Sequence, residues 1–543
     1  MSSSSIKLRI AFAVFVTSII IIAAIGFIYF NQPTVVSPGR NLVGVIHVEG
    51  AIVETEEAGS IISAVNQAIF NSSVKAVVLR IDSPGGYADL VEAIYLDILE
   101  LKKTKPVVAS VVSALSGGYY IAVAADYIFA LPTSFVGNVG VIGVGPPTLI
   151  PSEFELETGA LKATGFKRLL FPLNLSHALD NFASAVEDGR GNRTRVGSNE
   201  IRRGTIYIGS EALKVGLVDE MGSLQKAAEK AAQLSNLSFY EIAEVKPGDG
   251  ATTQVTAGSN QTRIQWAQLN VETLNKINPP PAIYYMYLPS QAYSQSQDLI
   301  QSPESPQAIS QAPADPNKPT VIVDMSHGNL VSEWEFDILA AELVKRNMVL
   351  TFASTWQEVA SGLSGASGLI VAAPTKPYML NESIRIEEFV NEGRVLLIFF
   401  DPAIEYVSVP ELLGPVNSLA NYFGLSFAKG YLYNEEEHYG LYRNIYVRRF
   451  ENTSLTRNLD TIVLLTSTHI NTLLNQAAYT SPDTYSSTGE RTGIYSPIAV
   501  IEGSGTIASF GDITFMTEPF CYLEDNYQLV LNIASKLAEI RVR

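Results

Sequence analysis

A serine followed by two glycines, Ser116-Gly117-Gly118, interrupts the apolar run from Ser110 to Ala130. A hydroxyl at such a break can serve as a nucleophile at a helix start. The glycines permit a tight turn and bring a backbone N–H close to whatever the hydroxyl attacks. A serine that only caps a strand-to-helix turn reads the same way. Two other stretches bear on the choice. Asp82-Ser83-Pro84-Gly85-Gly86 ends a strand-like run, and Gly85 and Gly86 can aim an N–H at a developing oxyanion, with the Gly117 N–H as a second donor. Ala163-Thr164-Gly165-Phe166-Lys167-Arg168 sets a lysine after a glycine turn, and Lys162 stands just before that turn.

Competing chemistries find little support. His47 lies in a strand-like run, His177 has no identifiable partner, and His327, His438 and His469 fall far along the chain, with no spacing that suits a metal. The single cysteine, Cys521, excludes an intrachain disulfide and a multi-cysteine metal centre. Neither a metal nor another cofactor is expected.

The elements that must position these residues alternate. Asn41–Gly50, Ala76–Ile81, Pro106–Val112 and Tyr127–Ala130 read as strands. Ser60–Phe70, Asp89–Lys103, Glu211–Val215 and Leu224–Leu234 have helical spacing. Strands alternating with helices imply crossover units and a largely parallel sheet. A further amphipathic helix is expected over Ile264–Ile277, and Ala282–Leu288 is apolar and extended, a packed tail of the same unit.

With 543 residues, 47% of them hydrophobic, the chain holds more than one core. Its net charge of −17 disfavours nucleic acid and anionic membrane surfaces as partners. Ile10 to Phe30 carry no charge and, at about 1.5 Å per residue, are long enough to cross a bilayer core. Lys7 and Arg9 precede this stretch. The positive-inside tendency therefore expects residues 1–9 in the cytoplasm, a single-pass helix at 10–30 and the remainder outside. Seven Asn-x-Ser/Thr triplets, at Asn71, Asn174, Asn192, Asn236, Asn260, Asn381 and Asn452, are compatible with export.

Residues 289–319 are rich in Gln, Ser and Pro and read as a disordered linker. A second α/β unit is expected over 320–543, with short buried strands at Thr320–Val323, Gly368–Ala372, Val395–Phe400 and Ile507–Phe510 and helices at Glu333–Arg346 and Ile384–Asn391. Asp324 and Asp401 directly follow strands, where open sheets commonly place ligand groups.

Five ordered stretches, RIDSPGG, SALSGGYYIAVAADYIFA, PTSFVGNVGVIG, TGFKR and GTIYIGSEALKVGLVDEMGS, carry a resemblance over roughly residues 41–288. They resemble the signal peptide peptidase A family, membrane-anchored serine proteases with a Clp-protease-like, crotonase-type fold. The resemblance implies a Ser-Lys dyad with Ser116 as nucleophile and Lys167 as general base. A lysine is protonated at neutral pH, so that role calls for desolvation, for which Phe166, Leu169, Leu170 and Phe171 offer an apolar surround. Where the family has Gly-Ser-Ile-Gly this chain has Gly137-Asn138-Val139-Gly140. Asn138 would then replace a serine in orienting the lysine through its amide oxygen. Leu169–Gly197 departs from the pattern and is expected to form a different rim to the substrate groove.

Family members with one copy of this motif set complete each site from neighbouring protomers, which implies a homo-oligomer above the membrane. The second unit, through VIVDMSHGN and SFGDITFMTEPF, is similar to amidotransferase-like domains of gliding-motility and intraflagellar-transport proteins, a flavodoxin-like type of α/β fold. Cys521 lies too near the C-terminus for an amidotransferase nucleophile, so this unit reads as non-catalytic and ligand-binding, with Asp324, Ser326, His327 and Asp512 as candidate pocket residues. The function expected is cleavage of apolar peptides such as signal-peptide remnants or membrane-protein segments. Two other readings stay open: an inactive oligomeric scaffold or receptor for an envelope partner, and a relative of the stomatin-associated membrane proteases.

Overall fold

The computed structural model describes residues 41–146, 161–247, 269–289, 319–403 and 412–539. The expected membrane helix at 10–30, most of the linker and the start of the helix expected at Ile264 lie outside these residues. Among the described residues no helix is long and apolar enough to cross a membrane.

The first unit is a mixed α/β sandwich built in chain order from β1 (Leu42–Glu49), α1 (Thr55–Phe70), β2 (Val74–Ser83), β3 (Gly85–Tyr87), α2 (Ala88–Lys102), β4 (Val107–Leu115), α3 (Gly117–Ala122), β5 (Tyr127–Gly137) and β6 (Ile142–Val144). It continues through α4 (Phe171–Arg190), α5 (Ser198–Arg202), β7 (Ile206–Ile208), α6 (Gly209–Val215), β8 (Glu220–Met221), α7 (Leu224–Leu234), β9 (Glu241–Glu244), α8 (Val271–Ile277) and β10 (Ala282–Met286).

Strand order in the main sheet is β7-β5-β4-β2-β1-β9, with β8 also on β5. All neighbours run parallel except β7. Such a central strand is covered on both faces, which is why β2 is almost continuously apolar rather than alternating. One face packs against α1 to α4 through residues such as Val65, Val91, Ile121 and Phe182. The other packs against the alanine stripe Ala227, Ala228, Ala231 and Ala232 of α7, whose small side chains let the helix approach the sheet closely.

β5 runs seven residues past the strand expected at Tyr127–Ala130, carrying the chain beside β4 as far as Gly137. Leu169–Gly197, which matched no pattern, is mostly α4. Its far end is fixed by Arg190, fully buried and bidentate to Asp219 at 2.7 and 2.9 Å, with Nε on the Gly216 carbonyl at 3.0 Å. Asp219 also accepts from the Ile128 N–H at 2.8 Å, so the pair ties α4 to the sheet.

The second unit has its own core and a six-stranded sheet. β11 (Thr320–Asp324), β12 (Val349–Ala353), β13 (Ala366–Ala372) and β14 (Val395–Phe399) are parallel and continue into Thr506–Phe510, with Ile498–Glu502 as an antiparallel edge. The helix expected at Glu333–Arg346 divides into a 3-10 turn over Glu333–Phe336, capped by Ser332, and an α-helix over Asp337–Lys345.

The units touch. Tyr439 Oη donates to the Leu169 carbonyl at 2.6 Å, Arg203 pairs with Glu435 at 2.5 Å and stacks over Tyr485, and Asn199 donates to Glu436 at 3.2 Å.

Candidate active site

β4 delivers Ser116 to the mouth of the sheet and α3 begins one residue later. Ser116 adopts φ 50° and ψ −119°, a conformation rare for any residue with a Cβ, and is 1% exposed. Its N–H donates to the Gly137 carbonyl at 2.8 Å, and its own carbonyl accepts from the Tyr119 and Tyr120 N–H groups at 2.8 and 2.9 Å. A serine held against its backbone preference at a sharp strand-to-helix turn is the arrangement that presents a hydroxyl for attack. A serine acting only as a cap would not need it, and no side-chain capping bond is made.

β2 brings the glycine pair to the same place. Ser83 Oγ donates to the Gly50 carbonyl at 2.7 Å and accepts from the Gly85 N–H at 3.1 Å. Gly85, one of the three expected oxyanion donors, gives its N–H to Ser83; the other two are Gly86 and Gly117. Both positions exclude a side chain. A Cβ on Gly86 would lie 1.9 Å from the Ile52 carbonyl oxygen, and one on Gly117 2.7 Å from the Tyr285 carbonyl oxygen. Close backbone approach, rather than flexibility, fixes glycine here.

Asn138 sits at φ 56°, in the left-handed region that asparagine tolerates better than most residues. Its Nδ2 donates to the Gly204 carbonyl at 2.8 Å and its N–H to the Thr205 carbonyl at 2.9 Å. The adjacent Gly137 carbonyl is the acceptor for Ser116, so Asn138 is beside the serine turn.

Lys167 is placed differently. It caps the 3-10 turn Arg168–Leu170 that leads into α4, its carbonyl accepting from Leu170 and Phe171 N–H groups, and its side chain is exposed. The apolar surround expected for it is only partly formed: Phe171 is buried, while Phe166 and Leu170 are 36% and 45% exposed. Among the described residues no hydrogen bond or ion pair joins Lys167 to Ser116 or Asn138. Lys162 is exposed as well. The structure therefore brings Ser116, Gly86, Gly117 and Asn138 together and leaves the lysine outside the group.

One participant went unread in the sequence. β10 lies antiparallel between β3 and β6, with Tyr285 opposite Gly86 and Ala282 opposite Val144. Tyr285 is buried, its ring 5.1 Å from Tyr120 and 5.2 Å from Phe182, and its hydroxyl donates to Glu92 at 2.8 Å. The aromatic density of Ala282-Ile-Tyr-Tyr-Met-Tyr-Leu288 was the available signal, and alone it says only that the strand is buried.

In the second unit, Asp324, Ser326 and His327 do meet at the end of β11. Asp324 accepts from Ser326 N–H and Oγ at 2.8 and 2.6 Å, from His327 Nδ1 at 2.8 Å and from the Tyr378 hydroxyl. Burial works against its charge, but the bonds from His327, Ser326 and Tyr378 hold its carboxyl below the usual range. Asp512 lies elsewhere, beside Asp401, two residues past the ends of their strands. Burial raises both of these carboxyls; the neighbouring Asp401 raises Asp512 further, while the hydrogen bond from Asp512 works against the rise at Asp401. The expected pocket residues are thus two separate groups. Cys521 is buried, and burial pushes its thiol up to about 11, the mark of an inert cysteine. Among the described residues no cluster suited to a metal is present.

A strained, buried serine turn beside a close-packed glycine pair, on a mixed α/β sheet, is a site of serine-hydrolase type. Residues 100–149, which hold the serine turn, match the model of Peptidase family S49. Protease 4 of Haemophilus influenzae is 34% identical over 218 residues, covering 36% of this chain and 35% of that one. The protease slr0021 of Synechocystis is 30% identical over 235 residues, covering 39% of this chain and 84% of that one. The chain belongs to peptidase family S49, the signal peptide peptidase A family, whose members matched here bear the names of proteases. It spans about a third of the length of the Haemophilus protein. Among solved structures, a mutant of the membrane-bound stomatin-specific protease 1510-N with a substrate peptide is similar at 20% identity and a TM-score of 0.27, covering 39% of this chain and 95% of that one.

Proposed function

We propose that the chain is a membrane-anchored serine endopeptidase that cleaves apolar peptides, such as signal-peptide remnants or membrane-protein segments, outside the cytoplasm. The observation that carries this reading is the Ser116 backbone, buried and held at positive φ between β4 and α3. Ser116 Oγ attacks the scissile carbonyl carbon, and its proton passes to Lys167 Nζ. The N–H groups of Gly86 and Gly117 receive the oxyanion, and the same proton goes to the leaving amine before water releases the acyl group. The exposed Lys167 supports a site completed between neighbouring chains of a homo-oligomer. The uncharged stretch Ile10–Phe30 supports the anchor, with the N-terminus cytoplasmic.

The second unit acts in this reading as a non-catalytic module that binds an envelope peptide or glycan. Labelling of the purified full chain by a fluorophosphonate tests the proposal. Labelling lost in both Ser116→Ala and Lys167→Ala is the expected result. A folded oligomer that never labels would favour an inactive scaffold.

A further inference from the structure

The strand β10 lies where a peptide substrate of the proposed site would have to lie. An extended peptide recognised by strand addition pairs with an exposed backbone edge and drops alternate side chains into pockets. The edge in front of Ser116 is β3, whose glycines carry the Gly86 donor, and it is paired not with solvent but with residues 284–286 of the chain itself. The Tyr287 N–H donates to the Pro84 carbonyl at 2.8 Å. Hydrogen-bonded pairs recur every second residue along an antiparallel ladder, so Tyr285 and Gly86 form the next such pair, which aims the Gly86 N–H at the Tyr285 carbonyl oxygen. That oxygen also lies 2.0 Å from a Cβ position on Gly85 and 2.7 Å from one on Gly117. A carbonyl oxygen of the chain therefore occupies the space between the two glycines that would receive an oxyanion.

The side chain completes the match. Tyr285 drops into a pocket walled by Tyr120, Phe182 and Tyr95, the last stacked edge-on against Tyr120 at 4.8 Å. At the floor its hydroxyl finds two acceptors, Glu92 Oε1 at 2.8 Å and the Ala178 carbonyl at 3.1 Å. Glu92 projects from α2 and Ala178 from α4, so the floor is assembled by two helices that the fold holds against each other through the core. A pocket with aromatic walls and a carboxylate floor fits the whole of a tyrosine, and phenylalanine would leave the floor without its donor.

We infer that residues 282–288 are a resident occupant of the peptide groove, and that the pocket holding Tyr285 selects tyrosine at the position whose carbonyl Ser116 attacks, with Glu92 as the residue that reads the hydroxyl. The inference rests on the peptidase reading for what the groove does, though not for what binds in it.

The test uses the full chain and a fluorescein-labelled peptide, Ala-Ile-Tyr-Tyr-Met-Tyr-Leu. Fluorescence anisotropy should show the peptide binding the Tyr285→Ala chain at least about tenfold more tightly than the wild type, whose groove is filled. Changing the fourth peptide residue to phenylalanine should weaken binding about tenfold to the Tyr285→Ala chain, and clearly less when Glu92→Ala is added, since only the Ala178 carbonyl then remains to accept. Equal peptide binding by wild type and a folded Tyr285→Ala chain would overturn the inference, as would a tyrosine preference undiminished by Glu92→Ala. If Tyr285→Ala fails to fold, Tyr285→Phe keeps the packing and loses only the floor bond. Its fluorophosphonate acylation should then be several-fold faster than wild type, and an unchanged rate together with unchanged peptide binding would overturn the assignment. Peptide binding as expected in chains that never react with the fluorophosphonate would sink the peptidase reading and leave the groove assignment standing.

Discussion

Ser116 is 1% exposed, fixed through its N–H and carbonyl to β5 and α3, and faced by glycines that any side chain would displace, whereas Lys167 stands in solvent at the start of α4. Ser116, the proposed nucleophile, is positioned by the core of its own sheet. Lys167, the proposed base, is positioned by a helix start whose apolar cover is incomplete. In the proposed mechanism a single chain holds the serine turn ready, while the Tyr285 carbonyl must leave the oxyanion position and the proton acceptor must be brought in and desolvated. In the proposed homo-oligomer a neighbouring chain would do this.

The largest expected effects separate these two halves. Ser116→Ala should lower fluorophosphonate labelling at least about a thousandfold, and Lys167→Ala should do nearly the same. Mixing the two inactive chains should restore part of the labelling if the halves come from different chains. No recovery after verified co-assembly would place both halves within one chain and remove the contrast.

Arg190→Ala, at the far end of the helix that begins beside Lys167, removes the buried bidentate partner of Asp219 and leaves it the half-exposed Arg193 at 3.3 Å. It should destabilise the first unit by about 3–5 kcal/mol in chemical unfolding. A loss below about 1 kcal/mol would mean that α4 is held mainly by its apolar face.

His327 offers a pH test in the unit that touches the Lys167 segment. Burial disfavours its charge, but bonds to Asp324 and Glu382 raise its pKa above the usual imidazole value. A raised folded value means stabilisation present below about pH 6.5 and lost as pH rises through that value. The melting temperature of the second unit should fall as pH rises above about 6.5 in the wild type, and the fall should be smaller in His327→Gln. Parallel curves would remove this ion pair from the account.

Smaller still, Tyr439→Phe removes the donor to the Leu169 carbonyl, two residues from Lys167. Labelling should slow about fivefold, the worth of one neutral hydrogen bond, if the second unit steadies the base. An unchanged rate would assign that contact to docking alone.

Much of the first sheet was legible because its strands are buried on both faces and its helices carry a clear period, so β2, β4 and α7 fall close to their expected positions. The serine turn was legible from Ser116-Gly117-Gly118 and its ordered companions. What escaped depends on tertiary contact. That Gly85 gives its N–H to Ser83 follows from a bend no spacing reveals. Tyr285 reaches Gly86 from nearly two hundred positions away, and hydrophobic periodicity carries no pairing information at that range. The separation of Asp512 from Asp324 is likewise a matter of sheet order, since the two lie at the ends of strands that are not neighbours.

The Ser116 backbone has a consequence for how inactive forms of the protein compare. Alanine keeps the Cβ that makes φ 50° costly, while glycine does not. Of two chains equally unable to form an acyl-enzyme, Ser116→Gly should therefore melt later than Ser116→Ala, by an amount corresponding to about 1 kcal/mol. Removing the side chain of a supposed nucleophile would then raise the stability of the chain above wild type, because the hydroxyl is retained in a geometry that folding alone would discard.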